Sequence, residues 1–169
     1  MPTTKGLLIA LLAFNPASAW AKAYFAPIPK MITEADAIAI VNILPQKPHK
    51  DPRQDNDFPI SAAVEVKETI AGDLTGVRTI SIPQGMPCAA VRVKPGLHLV
   101  FLRRQKGIFS NSNWHLSFLP ITENGIIWTD AGKLPGPPVP LAEVLKQIKE
   151  TRRKGESRSN HSVERPAAQ

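Results

Sequence analysis

Apolar and polar residues alternate in several short stretches of the chain, the period expected where one face of a β-strand is buried and the other wet. In Ser61 to Ile70 (SAAVEVKETI), Ala62, Val64 and Val66 fall on one side, and Glu65, Lys67 and Thr69 on the other. Turn residues follow from Ala71 to Gly76, after which Val77 to Ile82 alternates again, with Arg78, Ile80 and Ile82 sharing a face. Leu97 to Arg104 is apolar on both faces up to its paired arginines, which predicts a strand at the centre of a sheet. Ala35 to Leu44 has the same two-sided character and reads as a buried strand, although Thr33 and the alanines leave a helix open. Gln105-Lys106-Gly107 turns the chain toward Ile108 and Phe109, and a polar loop runs from Ser110 to Asn113. Trp114, Leu116 and Phe118 then alternate with His115 and Ser117, predicting one more strand, and Asn124-Gly125 is a tight-turn dipeptide across which Ile126 to Trp128 can pair back.

Proline sets the limits of these stretches, at 17 of 169 positions, and each proline lacks a backbone donor, which argues against a mostly helical bundle. Pro27 and Pro29 make residues 22–32 read as an extended entry segment. Pro45 to Pro59 reads as a solvated loop, since its Asp51, Asp55 and Asp57 lack the glycine and closing glutamate of a calcium loop. Leu134 to Pro140 (LPGPPVP) is predicted to cross the surface without joining a sheet. Leu141, Val144, Leu145 and Ile148 then recur at helical spacing, giving a helix of about three turns whose stripe docks on its own domain or on another protein. From Gly155 onward bulky apolar residues almost vanish, and residues 151–169 are expected to form a disordered basic tail.

The N-terminus changes the picture of where this domain works. Lys5 precedes Gly6 to Phe14, an apolar run too short to span a bilayer, and small residues follow Pro16. This is the three-part form of a secretory leader, residues 1–21, with cleavage expected after Ala21 and Ala19 as the other site. It places the protein in the periplasm or outside the cell. The formal charge of +7 becomes +6 without the leader, and +4 of it lies in residues 146–169. The remainder is nearly neutral, so the basic balance is a property of the tail and carries no strong nucleic-acid signal. Cys88 is the one cysteine, so no internal disulfide can form and stability must come from a core.

About five short strands, an excursion loop and a closing helix predict a mainly β domain over residues 33–150, a five-stranded OB-like barrel with a short C-terminal helix, because a small sheet hides its edges best by closing. The order EADAIAIVNI, AAVEVKETIAGDLTGVRTISI, VKPGLHLVFLRRQKGIFS and WHLSFLPITENGII resembles small exported bacterial proteins related to the netrin-like module of tissue inhibitors of metalloproteinases. Val64, Val66, Ile70 and Gly72 answer to one strand-and-turn pattern of that module, and Gly96, Leu99, Val100, Phe101 and Leu102 to another. The inhibitors hold a protease metal through an N-terminal cysteine; neither cleavage site here exposes one, so that activity is not carried over.

Candidate chemistry is sparse. Four histidines (49, 98, 115, 161) and Cys88 occur without a nucleophile elbow, and His98 and His115 form at most half a metal site. No catalytic residue, metal or cofactor is expected. Arg103, Arg104, Lys106, Phe109 and Trp114 cluster around one hairpin and make the candidate surface for an anionic ligand such as nucleic acid, phospholipid or glycan, provided that the aromatic rings stand exposed beside the arginines. A weak membrane-surface contact through the tail rests on Arg152, Arg153 and Lys154. The reading that best fits the sequence is a non-enzymatic, exported binding module contacting an unknown envelope protein.

Overall fold

The computed structural model describes residues 26–45, 61–82, 93–130 and 133–162, with the side chains of 114, 115, 156 and 158–162 set aside. The leader with Ala21, the loop carrying His49, Asp51, Asp55 and Asp57, and Cys88 lie outside these residues.

Six strands form: β1 (Ala37–Ile43), β2 (Ser61–Ala71), β3 (Thr79–Ser81), β4 (Gly96–Gln105), β5 (Ile108–Asn111) and β6 (Phe118–Pro120). The sheet order is β1-β2-β3-β5-β4, and β4 pairs back onto β1, closing an OB-like five-stranded barrel. β6 is an extra strand on the same edge of β4 as β5, since Leu102 to Gln105 face β5 while His98 to Val100 face β6. Closure depends on curvature. Two register shifts between β1 and β2, after Ile38 and after Ile40, each place an extra β2 residue opposite β1, and such bulges bend a strand and increase its twist. The ring is completed by a single parallel pair, Ser81 with Ser110.

β1 and β4 are apolar on both faces because they serve two cores. Ala37, Ala39, Val41 and Ile43 point into the barrel with Val100 and Leu102 of β4, where Val64, Ile80, Phe109 and Phe118 meet them. Ile38, Ile40, Leu99 and Phe101 point outward, against Met31, Ile32, Val144 and Ile148. The outer layer consists of two helices, α1 (Ile28–Glu34) and α2 (Leu141–Ser162). The stripe foreseen on the C-terminal helix thus docks on its own domain, with Val144 and Ile148 fully buried.

Four expectations require correction. Residues 28–34, which begin inside the 22–32 segment expected to be extended, are helical: Pro27 is the N-cap and Pro29 lies in the first turn, where a missing N–H removes no intrahelical bond. Trp114–Ser117 is a 3-10 turn. The Leu116 N–H donates to the Asn113 carbonyl (3.1 Å) and the Asn113 N–H to Ser117 Oγ (2.5 Å), local bonds that outcompete strand pairing. Asn124-Gly125 does turn the chain, but Ile126 then pairs with Val139 of the proline-rich segment. Val139 keeps a donor among prolines, and its N–H reaches the Ile126 carbonyl at 2.8 Å. Lastly, α2 continues through residues expected to be tail, to Ser162. Gly155 lets it pass close to α1, since a Cβ at that position would lie 3.2 Å from Thr33 Cγ2.

Candidate functional site

The hairpin expected to present an anionic-ligand surface is built as anticipated in its backbone, with Arg104 and Lys106 exposed, but its Phe109 ring is buried. Lys106 and Gly107, both at positive φ, make the two-residue turn between β4 and β5, the geometry that matches strand twist. Phe109 then points into the barrel, 6% exposed. Its ring is covered by the Arg104 guanidinium, 5.4 Å from the centroid, so Phe109 offers no stacking platform. Arg103 pairs with Glu34 at the end of α1, and the Arg104 N–H donates to Asp36 Oδ2 at 2.7 Å. These contacts pin α1 and β1 to β4. The position of the Trp114 ring is outside the described side chains.

His98 is buried on β4, and its Nδ1 lies 3.0 Å from the Gly96 carbonyl. Its neighbours across the ladders are Val41 and Pro120, and the 3-10 turn takes His115 out of the strand register that would have set the two histidines face to face. Burial lowers the His98 pKa, opposed by the Gly96 hydrogen bond. Among the described residues no group of three or more His, Cys, Asp or Glu side chains gathers as metal ligands, and no helix is long and apolar enough to cross a membrane.

The concavity that the fold does build lies elsewhere. A groove of about 520 Å3 runs between β6 with its following turn and the proline-rich segment, lined chiefly by Leu116, Leu119, Pro120, Ile127, Pro135 and Pro138. The Ile126–Val139 bridge ties its two walls together, and proline fixes φ along the outer wall. Asp130 and Lys133, ion-paired at 3.2 Å, stand at its polar end. The Asp130 carboxyl is held below the usual carboxylate range, mainly because its Oδ1 accepts the Ile28 N–H (2.9 Å), with Lys133 adding to the effect. A smaller hollow under Ala26, Met31, Asn113 and Trp128 shares Leu116, Leu119, Ile127 and Thr129 with the groove. Sequence reasoning missed this site. The one available signal was Leu134, an apolar residue stranded in a proline-rich run, which is 92% exposed and lies in sequence between the lining residues Lys133 and Pro135.

No family model matches the chain, and no curated protein and no solved structure matches it either.

Proposed function

We propose that this protein is an exported, non-enzymatic binding module that holds a segment of another envelope protein in the groove between β6 and the proline-rich run. The observation that carries the reading is the groove itself: a preformed, apolar concavity with few polar groups, the usual character of a binding pocket. Its rigid walls reduce the ordering cost of binding. Kinship with the netrin-like module is part of the same proposal, supported by the OB-like ring order and by Gly72 and Gly96 at positive φ beside β2 and β4. A photo-crosslinking side chain at Ile127, which is 44% exposed, tests the contact in an envelope fraction. A discrete adduct that is lost on Leu119→Lys supports it; adducts identical to those formed from Lys67, on the exposed face of β2, overturn it.

A second reading, an anionic ligand, draws on the outer face of α2, where Lys146, Lys149, Arg153 and Lys154 are exposed. It requires affinity that falls steeply as salt rises. The groove reading requires little salt dependence.

A further inference from the structure

Resting on the second reading, we infer that the anionic ligand is the headgroup surface of an acidic phospholipid bilayer, met by one face of α2. The helix is seated by its other side. Val144 and Ile148 are buried against the barrel, and Gly155 brings α2 close to Thr33 of α1. Arg152 is spent on this inner side, where it donates to the carbonyls of Ile32 and Ala35, so the tail cluster expected to touch a membrane loses one member. The opposite side carries the free charge. Lys146, Lys149 and Arg153 are exposed there and, at about 100° per residue, fall within about 60° of one another in a row about 10 Å long. Among the described residues none of the three pairs with a carboxylate, whereas Lys30, Lys67, Arg103 and Lys133 all do. Glu143 and Glu150 lie along one border of the face, beside Lys154, and leave the row itself uncovered.

This face suits a bilayer better than a nucleic acid. None of its exposed positions from 142 to 154 is aromatic, so bases find nothing to stack on. A duplex takes a helix into its major groove, but α2 is laid against the barrel and α1 from Val144 to Gly155 and does not project. A straight row of cations on a helix fixed from behind meets a flat charged surface all at once, and anionic headgroups attract such residues. Ala142 is the one apolar residue at those exposed positions, so the contact stays at headgroup depth, unlike that of a helix that sinks an apolar face into the membrane.

The test is flotation of the complete chain with vesicles of phosphatidylcholine alone or mixed with phosphatidylglycerol; the difference between the two separates the electrostatic part from any contribution of the apolar N-terminal run. Binding is expected to be tighter on the acidic vesicles and to weaken as salt rises. Lys146→Gln/Lys149→Gln/Arg153→Gln should lower it about a hundredfold, at about fivefold for each cation removed. Arg78→Gln/Lys94→Gln/Lys106→Gln removes as much charge from exposed positions elsewhere and should lower it far less. Equal losses in the two triple variants, or no preference for acidic vesicles, overturn the inference. So does duplex DNA that binds the chain more tightly than acidic vesicles do, an outcome that leaves the anionic-ligand reading standing. Absent or salt-independent binding to both probes sinks that reading itself.

Discussion

Asn113 grips Ala26 with both atoms of its side-chain amide, and does so from a position that is itself only 3% exposed. One residue just before the 3-10 turn thus holds the entry to α1, 87 positions earlier in the chain. The same turn is closed by Ser117 Oγ accepting the Asn113 N–H, so the clamp residue is itself held by a local bond.

Replacing Asn113 with alanine leaves the Ala26 N–H and carbonyl without their partners, at a cost of about 1–3 kcal/mol for a buried unsatisfied group. Asn113→Asp keeps the acceptor for the N–H but loses the donor to the carbonyl. Denaturant unfolding should show both variants destabilised.

Arg152 reaches from α2 to the end of α1, its Nη1 donating to the carbonyls of Ala35 (3.0 Å) and Ile32 (3.3 Å). These are carbonyls at a helix C-terminus, where a cation is also favoured by the helix dipole. Arg152→Ala is expected to lower stability by about 1–2 kcal/mol. Exchange protection of the α1 amides should fall more than that of β4, since the loss is local.

Gly72 and Gly76 have nearly the same backbone angle, φ +75° and +74°, but different surroundings. A Cβ at Gly72 would run into the Asp36 carbonyl oxygen and Ala37, whereas at Gly76 it meets open space. Gly76→Ala should therefore cost only the left-handed penalty of about 1–2 kcal/mol. Gly72→Ala should cost clearly more, because it also pushes β2 away from β1; thermal melts of the pair separate the two effects.

His98 gives the fold a dependence on pH. Burial lowers its pKa in the folded chain below the ordinary 6.5, so as pH falls the unfolded chain takes up the proton first. The resulting stability is present above about pH 6.5 and is lost as pH falls from there through the folded-state pKa. His98→Gln should flatten that part of the stability profile, measured by urea unfolding between pH 7 and 5. Asp130 acts lower on the scale. Its depressed carboxyl supports the Ile28 tether at neutral pH, and that support disappears as acid protonates it, below the ordinary carboxylate range near 3.8.

Much of the barrel was readable along the chain. The two-sided apolar runs at 35–44 and 97–104 mark strands covered on both faces, and the strands formed there, β1 and β4, do separate the two cores. Lys106-Gly107 and Asn124-Gly125 mark turns by their backbone chemistry alone. The prolines misled, because their effect depends on whether the missing N–H was needed: at Pro27 and Pro29 it was not, and α1 begins there.

Local chemistry alone determined where this chain alternates, turns and starts its C-terminal helix, since each of those choices is made within a few residues. Only the tertiary structure decided that β2 bulges twice to close the ring, that Phe109 turns inward beneath Arg104, and that Val139 bridges to Ile126 and so sets the proline-rich run beside β6 as one wall of a groove. Those outcomes depend on which distant surfaces must share one interior, and residues 87 or 102 positions apart, as Ala26 is from Asn113 and Ile28 from Asp130, leave no period in the sequence for such a meeting to be read from.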